Sequence, residues 1–184
     1  MALPAAAEII AFWREAGPPR WFAKDDAFDA EIARRFAEAH HAAARGELAD
    51  WQASAEGALA LLLLLDQFPR NLWRGSAHAF ATDPLARSLA RAALDAGHDQ
   101  AGDPALRVFF YLPFEHSENL ADQDLSLAKC QALDAESGST WSEWAAMHRD
   151  IILRFGRFPH RNACMGREST AEELAFLAEG GFSG

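Results

Sequence analysis

Residues 140–156 read TWSEWAAMHRDIILRFG, and this stretch decides the fold class. Thr140 and Glu143 stand at capping-box spacing, where the first side chain accepts a helical N–H and the second reaches back to the cap. Trp141, Trp144, Ala145, His148, Ile152 and Phe155 follow at helical intervals. The spacing predicts an amphipathic helix. His148 falls on its apolar face beside Trp141, Trp144, Ile151 and Phe155, so its ring is expected to be buried.

The same signals repeat toward both ends. Thr170 and Glu173 form a second capping-box pattern before a short helix that closes near Gly180 and Gly181. Upstream, a helix is expected from about Ser117 to Ala135, with Ser117 as its cap. Asp103-Pro104 opens a segment running through Val108, Phe109 and Leu112 to a stop at Pro113. Asp83-Pro84 opens another that ends near Gly97. A leucine-rich helix runs from about Ser54 through Leu65 and is expected to stop before Pro69. Phe28, Ile32 and Phe36 mark a helix behind Asp25 and Asp26. Ile9, Phe12, Trp13 and Ala16 mark one that Gly17-Pro18-Pro19 ends. Strand signals are nearly absent. The expectation is an all-α fold: one domain over residues 1–184, built as a right-handed array of antiparallel helix pairs. Its core should include Trp13, Phe36, Leu61, Leu62, Phe109, Trp144, Ile152 and Phe158.

Composition narrows the class. Half of the 184 residues are hydrophobic, enough for a packed core and too many for a disordered chain. The longest uncharged apolar run, Ala58–Leu65, is too short to cross a bilayer, so no membrane partner is expected. The first ten residues lack Lys and Arg and do not read as a secretory signal. Two cysteines without CxxC spacing argue against a disulfide scaffold or zinc site and fit the cytoplasm. A net charge of −10 argues against nucleic acid as a partner. The charge is uneven, however. From His148 to Glu168 five arginines face two acids, whereas the rest of the chain holds 12 basic and 25 acidic residues.

Three polar segments concentrate the chemistry. The first is Asp66-Gln67-Phe68-Pro69-Arg70-Asn71, directly after five leucines, with Arg74 beyond. A polar turn leaving a buried helix is held in place by it, which suits a binding site. It equally suits a helix end whose carbonyls are satisfied by Arg and Asn side chains. The second is Pro113-Phe114-Glu115-His116-Ser117-Glu118, where His116 and Glu118 flank a helix start. A histidine beside a carboxylate is a common acid–base pairing, and helix capping is the plainer reading. The third joins His148 to Arg154, Arg157, His160, Arg161 and Asn162. Its arginines suit a forked anion, or internal pairing with Asp66, Glu118 or Asp150. An internal echo links the ends of the set. Phe68-Pro69-Arg70-Asn71 resembles Phe158-Pro159-His160-Arg161-Asn162, and each Asn precedes a glycine, Gly75 or Gly166, by four residues.

Together, residues 63–71, 113–118 and 148–162, continued by Gly166-Arg167-Glu168-Ser169-Thr170, resemble the signature blocks of the bacterial domain-of-unknown-function 924 family. The resemblance extends over essentially the whole chain. It implies a TPR-like α-α superhelix and supplies no activity, substrate or cofactor.

The leading functional expectation is one pocket for a small anionic ligand. It would be formed by Asp66, Gln67, Arg70, Asn71, His116, Glu118, His148, Arg157, His160, Arg161 and Asn162. If the pocket is catalytic, His116 or His160 is the acid–base group and Glu118 or Asp66 its orienting partner. The competing expectation is a TPR-like scaffold that binds a peptide or protein on its concave face, with the polar blocks serving as structural ion pairs. No HExxH-type spacing supports a metal, and no Gly-rich phosphate loop, Rossmann fingerprint or GxSxG elbow calls for a cofactor or a serine nucleophile. Cys164, next to the basic turn, is expected to be a buried, inert thiol.

Overall fold

The computed structural model describes residues 3–182, and every regular element among them is helical. None of these helices is long and apolar enough to cross a membrane. The contacts divide the chain into two compact units. One runs to Arg74 and resumes from His78 to Pro113; the other comprises Gly75–Ala77 and the chain from Phe114 onward.

In the first unit, α1 (Ala6–Ala16) buries Ile9, Ile10 and Trp13 and ends at Gly17, whose φ of 69° is left-handed. α2 (Asp26–Ala44) starts as read: the Asp25 carboxylate accepts from the N–H groups of Ala27 and Phe28. Its Phe28 and Phe36 rings meet Phe12 of α1 at 5.3 and 4.9 Å. α3 (Ala55–Leu62) is buried nearly all round, because α1 and the later α5 (Asp83–Asp95) both pack on it. Trp13, Phe36, Leu61, Leu62 and Phe109 are core residues, as expected.

The leucine run does not stop before Pro69. It continues through a π turn, Leu63–Gln67, into α4 (Phe68–Leu72). The Phe68 N–H donates to Leu63 O, five residues back. That wider turn admits a proline, which has no N–H to give the helical ladder. It also releases carbonyls that need other donors. His40 Nδ1 donates to Leu64 O (2.7 Å) and Thr82 Oγ1 to Leu65 O (2.6 Å), while Arg70 Nη1 donates to Asp66 O. Thr82, not Asp83, therefore occupies the cap of α5, and Asp83 is freed to pair with Arg70.

Three further boundaries differ from the sequence reading. Pro113 lies inside a single helical turn, α6 (Leu112–Glu115), rather than ending a helix. In α7 (Leu120–Ser137) the cap is Asn119, which accepts from the Ala121 and Asp122 N–H groups. Ser117 Oγ instead accepts from Asn119 N–H and donates to Asp122 Oδ2. α8 (Trp141–Phe155) is capped from outside: both oxygens of Asp134, in the last turns of α7, accept from Trp141 and Ser142 N–H. Burial alone would raise the Asp134 carboxyl, but these bonds and that from Ser139 hold it below the usual range. The Thr140 side chain makes no capping bond.

α7 and α8, joined through Gly138 at φ 70°, pack along each other in the second unit. Ala145, His148, Ile151 and Ile152 are buried there, but Trp144 is 54 % exposed and is not a core residue. Cover for this helix comes from Phe176 of α9 (Ala171–Ala178) and from Phe182. Both pack against Ile151 and Ile152 of α8 and against Phe158 beyond it.

Candidate functional site

The Asp66–Asn71 segment is a hub of the first unit. Asp66 is 1 % exposed; its Oδ2 accepts from Gln67 Nε2 at 2.6 Å and its Oδ1 lies 3.3 Å from Arg70 Nη1. Arg70 turns its fork to Asp83, with both N–O distances 3.0 Å. Burial works against the Arg70 charge, and Asp66 and Asp83 outweigh it, so this guanidinium stays protonated. Asn71 Nδ2 donates to Asp29 Oδ1 at 2.8 Å, and Arg74 holds both oxygens of the same carboxylate.

The second unit repeats that last arrangement. Asn162 Nδ2 donates to Glu173 Oε2 at 3.2 Å, and Arg157 forks onto both Glu173 oxygens at 2.6 and 2.8 Å. Asp29 and Glu173 each lie in the first turn of a helix, so the two Pro-Arg-Asn turns carry the same lock. Glu173 also completes the capping box with Thr170, as expected. The Arg157 bond, then the Thr170 N–H and Asn162, lower its carboxyl to about 2. Glu118 does comparable work: it accepts from Phe158 N–H (2.8 Å) and from both Arg167 Nη atoms (2.7 and 3.0 Å). Burial pushes its carboxyl up, but Arg167, the Phe158 N–H and the nearby Arg161 charge hold it below the usual range. Arg154 pairs with Glu172 rather than aiming with Arg157 and Arg161 at a common point. Charge-neutralised carboxylates of this kind pin turns. They do not present free acid–base groups, which removes Glu118 as the partner of His116.

The PFEHSE and RFPHRN segments do meet. His148 Nδ1 lies 3.1 Å from Glu115 Oε1 and 2.8 Å from Trp144 O, so that nitrogen carries the proton and donates. The His116 ring stands 6.5 Å from that of His148. Phe158 packs against His148 at 5.6 Å and His160 at 5.7 Å. Phe182 packs against the same two rings at 4.5 and 5.1 Å. The Arg161 guanidinium lies over the Phe158 ring at 4.4 Å and donates from Nη1 to His116 O at 3.0 Å. His148 and His160 thus pack on both phenyl rings, Arg161 lies over one of them, and His116 and Glu115 stand beside His148. His148 and Arg161 are buried, as expected for His148; His116 and His160 are half-buried.

Two members escaped the sequence reading. Glu115 was not among the candidates, yet it lies beside a histidine, and that histidine is His148. Glu115 closes a one-turn helix that the stop expected at Pro113 concealed. Phe182 lies in a Gly-rich stretch that offered no periodicity to read.

Other features carry less. Cys130 is buried; desolvation, with the Glu115 charge facing it, pushes its thiol up to about 12. Cys164 is half-buried, and its thiol donates to Arg161 O. Among the described residues no group of His, Cys, Asp and Glu has the geometry to hold a metal ion. Two concavities of the first unit, of about 160 and 380 Å³, are lined by Gln52, α3 and α5 and by α5 alone, and include none of the candidate residues.

The family model described as bacterial protein of unknown function (DUF924) matches residues 9–181. The chain is also similar to the solved structure of a protein of unknown function from Agrobacterium tumefaciens. The two are 54 % identical, the match covers 95 % of this chain and 97 % of that one, and the TM-score is 0.88. No curated protein matches the chain.

Proposed function

The chain belongs to this bacterial DUF924 family, and on that footing we propose that its second unit binds a small anionic molecule at the His116–His148–His160 cluster, with Glu115 and His148 as a proton-transfer pair. One observation carries the reading: the buried contact between Glu115 Oε1 and His148 Nδ1. A carboxylate on one imidazole nitrogen fixes the tautomer and leaves the other nitrogen to accept a proton. His160 brings a second imidazole to the same aromatic wall, and the His116 ring stands 6.5 Å from that of His148. Arg161 adds a fixed positive charge beside them.

The remaining candidates serve the alternative reading, in which polar blocks are structural ion pairs. Asp66, Gln67, Arg70 and Asn71 hold the π turn and α2, while Arg157, Asn162 and Glu118 hold the second Pro-Arg-Asn turn. For the chain as a whole we propose the TPR-like superhelix and single domain that the family resemblance implies; the unbroken succession of helices supports this.

The test is a titration of the protein with inorganic phosphate and with acetate, followed through the imidazole nitrogen resonances of its histidines. The expected result is selective movement of His116, His148 and His160, with His40, His78 and His98 unmoved, at ligand concentrations on the order of 10 mM or below. Uniform shifts, or none, would remove the proposed site.

A further inference from the structure

Between α3 and α5 the first unit keeps a concavity of about 160 Å³, lined by Ala58 and Leu61 of α3, by Leu89, Ala92 and Ala93 of α5, and by Gln52. Close-packed interiors leave few gaps larger than a water molecule. This one persists because three of its six lining residues end at Cβ. Ala58, Leu61 and Ala93 are buried and form its floor, while Gln52 and Ala92 are exposed at its edge. The edge is fixed from two sides. A 3-10 turn, Ala49–Ala53, carries Gln52 and presses on α3 at Gly57, where a Cβ would lie 2.1 Å from Trp51 O. His98 Nε2 donates to Gln52 O at 3.1 Å. Helix propensity does not require alanine at 92 or 93, since leucine suits a helix nearly as well.

The lining sets the chemistry of what can enter. It carries no charged residue; Arg87, Arg91 and Asp95 line a separate concavity that shares only Ala92 with it. An ion in this space would lose water without gaining a counter-charge. The Gln52 carboxamide is a neutral group that both donates and accepts. Apolar cavities of about 150 Å³ take molecules the size of benzene. We propose that this concavity binds a small neutral molecule, with an apolar body of one aromatic ring seated between α3 and α5 and a single hydrogen-bonding group turned to the Gln52 carboxamide. The site uses none of the residues of the proposed anion site and does not depend on it.

Titration with phenol, benzene and benzoate tests it, followed through the methyl resonances of Ala58, Leu61 and Leu89 in the parent protein, Ala93→Leu, Ala92→Leu and Gln52→Ala. Melting curves establish which variants are folded. Phenol is expected to bind the parent with a dissociation constant on the order of 1 mM or tighter, and benzoate at least tenfold more weakly. Ala93→Leu fills the space from the floor and Ala92→Leu from the exposed edge. Each should weaken phenol and benzene binding at least tenfold, and Ala92→Leu decides alone if the buried substitution does not fold. Gln52→Ala should weaken phenol several-fold and leave benzene unchanged. Failure of phenol to move these methyls, or equal phenol affinity in the parent and the folded leucine variants, overturns the site. Benzoate binding as tight as that of phenol overturns the neutral class, and unchanged phenol affinity in Gln52→Ala overturns the part given to Gln52.

Discussion

Glu115 Oε1 and His148 Nδ1 lie 3.1 Å apart, with the two side chains 4 and 9 % exposed. A one-turn helix supplies the acid and the middle of a long helix supplies the base. Groups in contact at such depth act as one unit energetically. Urea unfolding of Glu115→Gln, His148→Asn and the double variant should therefore give a coupling energy of about 1–3 kcal/mol. Additive effects would mean that the two side chains contribute independently, and the proton-transfer pair would lose its structural basis.

Arg161→Lys keeps the charge and loses the fork. The parent guanidinium both donates to His116 O and covers Phe158, and it is 6 % exposed. The variant should fold but melt lower, by the equivalent of about 1–2 kcal/mol at the lost hydrogen bond. It should also bind any anion that the parent binds roughly tenfold more weakly. Unchanged anion affinity in a destabilised variant would make Arg161 a pin of the His116 turn and nothing more.

The acid limb of stability should depend on Glu173. Its carboxyl falls from the ordinary 4.5 to about 2, chiefly through the Arg157 bond. A depressed folded pKa means stability that is complete above the unfolded value and is lost as pH falls through the folded one. The melting-temperature gap between the parent and Glu173→Gln should thus be constant from neutrality to about pH 4.5 and shrink toward pH 2. Glu118, also held low, acts in the same direction. A gap independent of pH over that window would contradict the Glu173 assignment.

His40 has the opposite charge type and the same sign of effect. Burial, first, and the neighbouring His41 lower its pKa from 6.5 despite the Leu64 carbonyl that favours the charged form. The folded protein keeps this ring neutral where the unfolded chain would protonate it, so stability falls with pH from about 6.5 downward. His40→Phe should remove that component while leaving Leu64 O without its donor, a cost of about 1–3 kcal/mol at pH 8. Melting temperatures of both proteins between pH 8 and 5 check both effects.

Trp144 and Trp13 offer a direct contrast. The first is 54 % exposed and the second 0 %. Trp144→Ala should change unfolding free energy by about 0.5 kcal/mol or less, whereas Trp13→Ala should cost about 3–5 kcal/mol.

What could be read in advance followed short-range rules. Asp25, Asp103 and Thr170 cap where spacing placed them, and Ile32, Phe36 and Phe158 are buried where periodicity placed them. What could not be read depends on partners distant in sequence. Asp134 caps α8 from another helix, which no local pattern announces. Trp144 has the right angle on α8, but angle does not say how far a covering segment reaches. The site was legible as residue types and only partly as pairs. His148, Arg161 and His160 were visible in one dense block, but choosing between Glu115 and Glu118 required knowing which way a four-residue helix faces.

The π turn at Leu63–Gln67 has a consequence for the gene as well as the protein. Such a turn amounts to one extra residue accommodated within an otherwise regular helix. Deleting a single codon from this stretch would therefore leave a plausible α-helix. α4 would keep its direction, but carbonyls now held by His40, Thr82 and Arg70 would be drawn back into the helical ladder, and Pro69 would stand inside a regular helix it cannot complete. Lineages of this chain should tolerate many substitutions among the five leucines, yet length change there should be purged far more strictly than in the loops on either side.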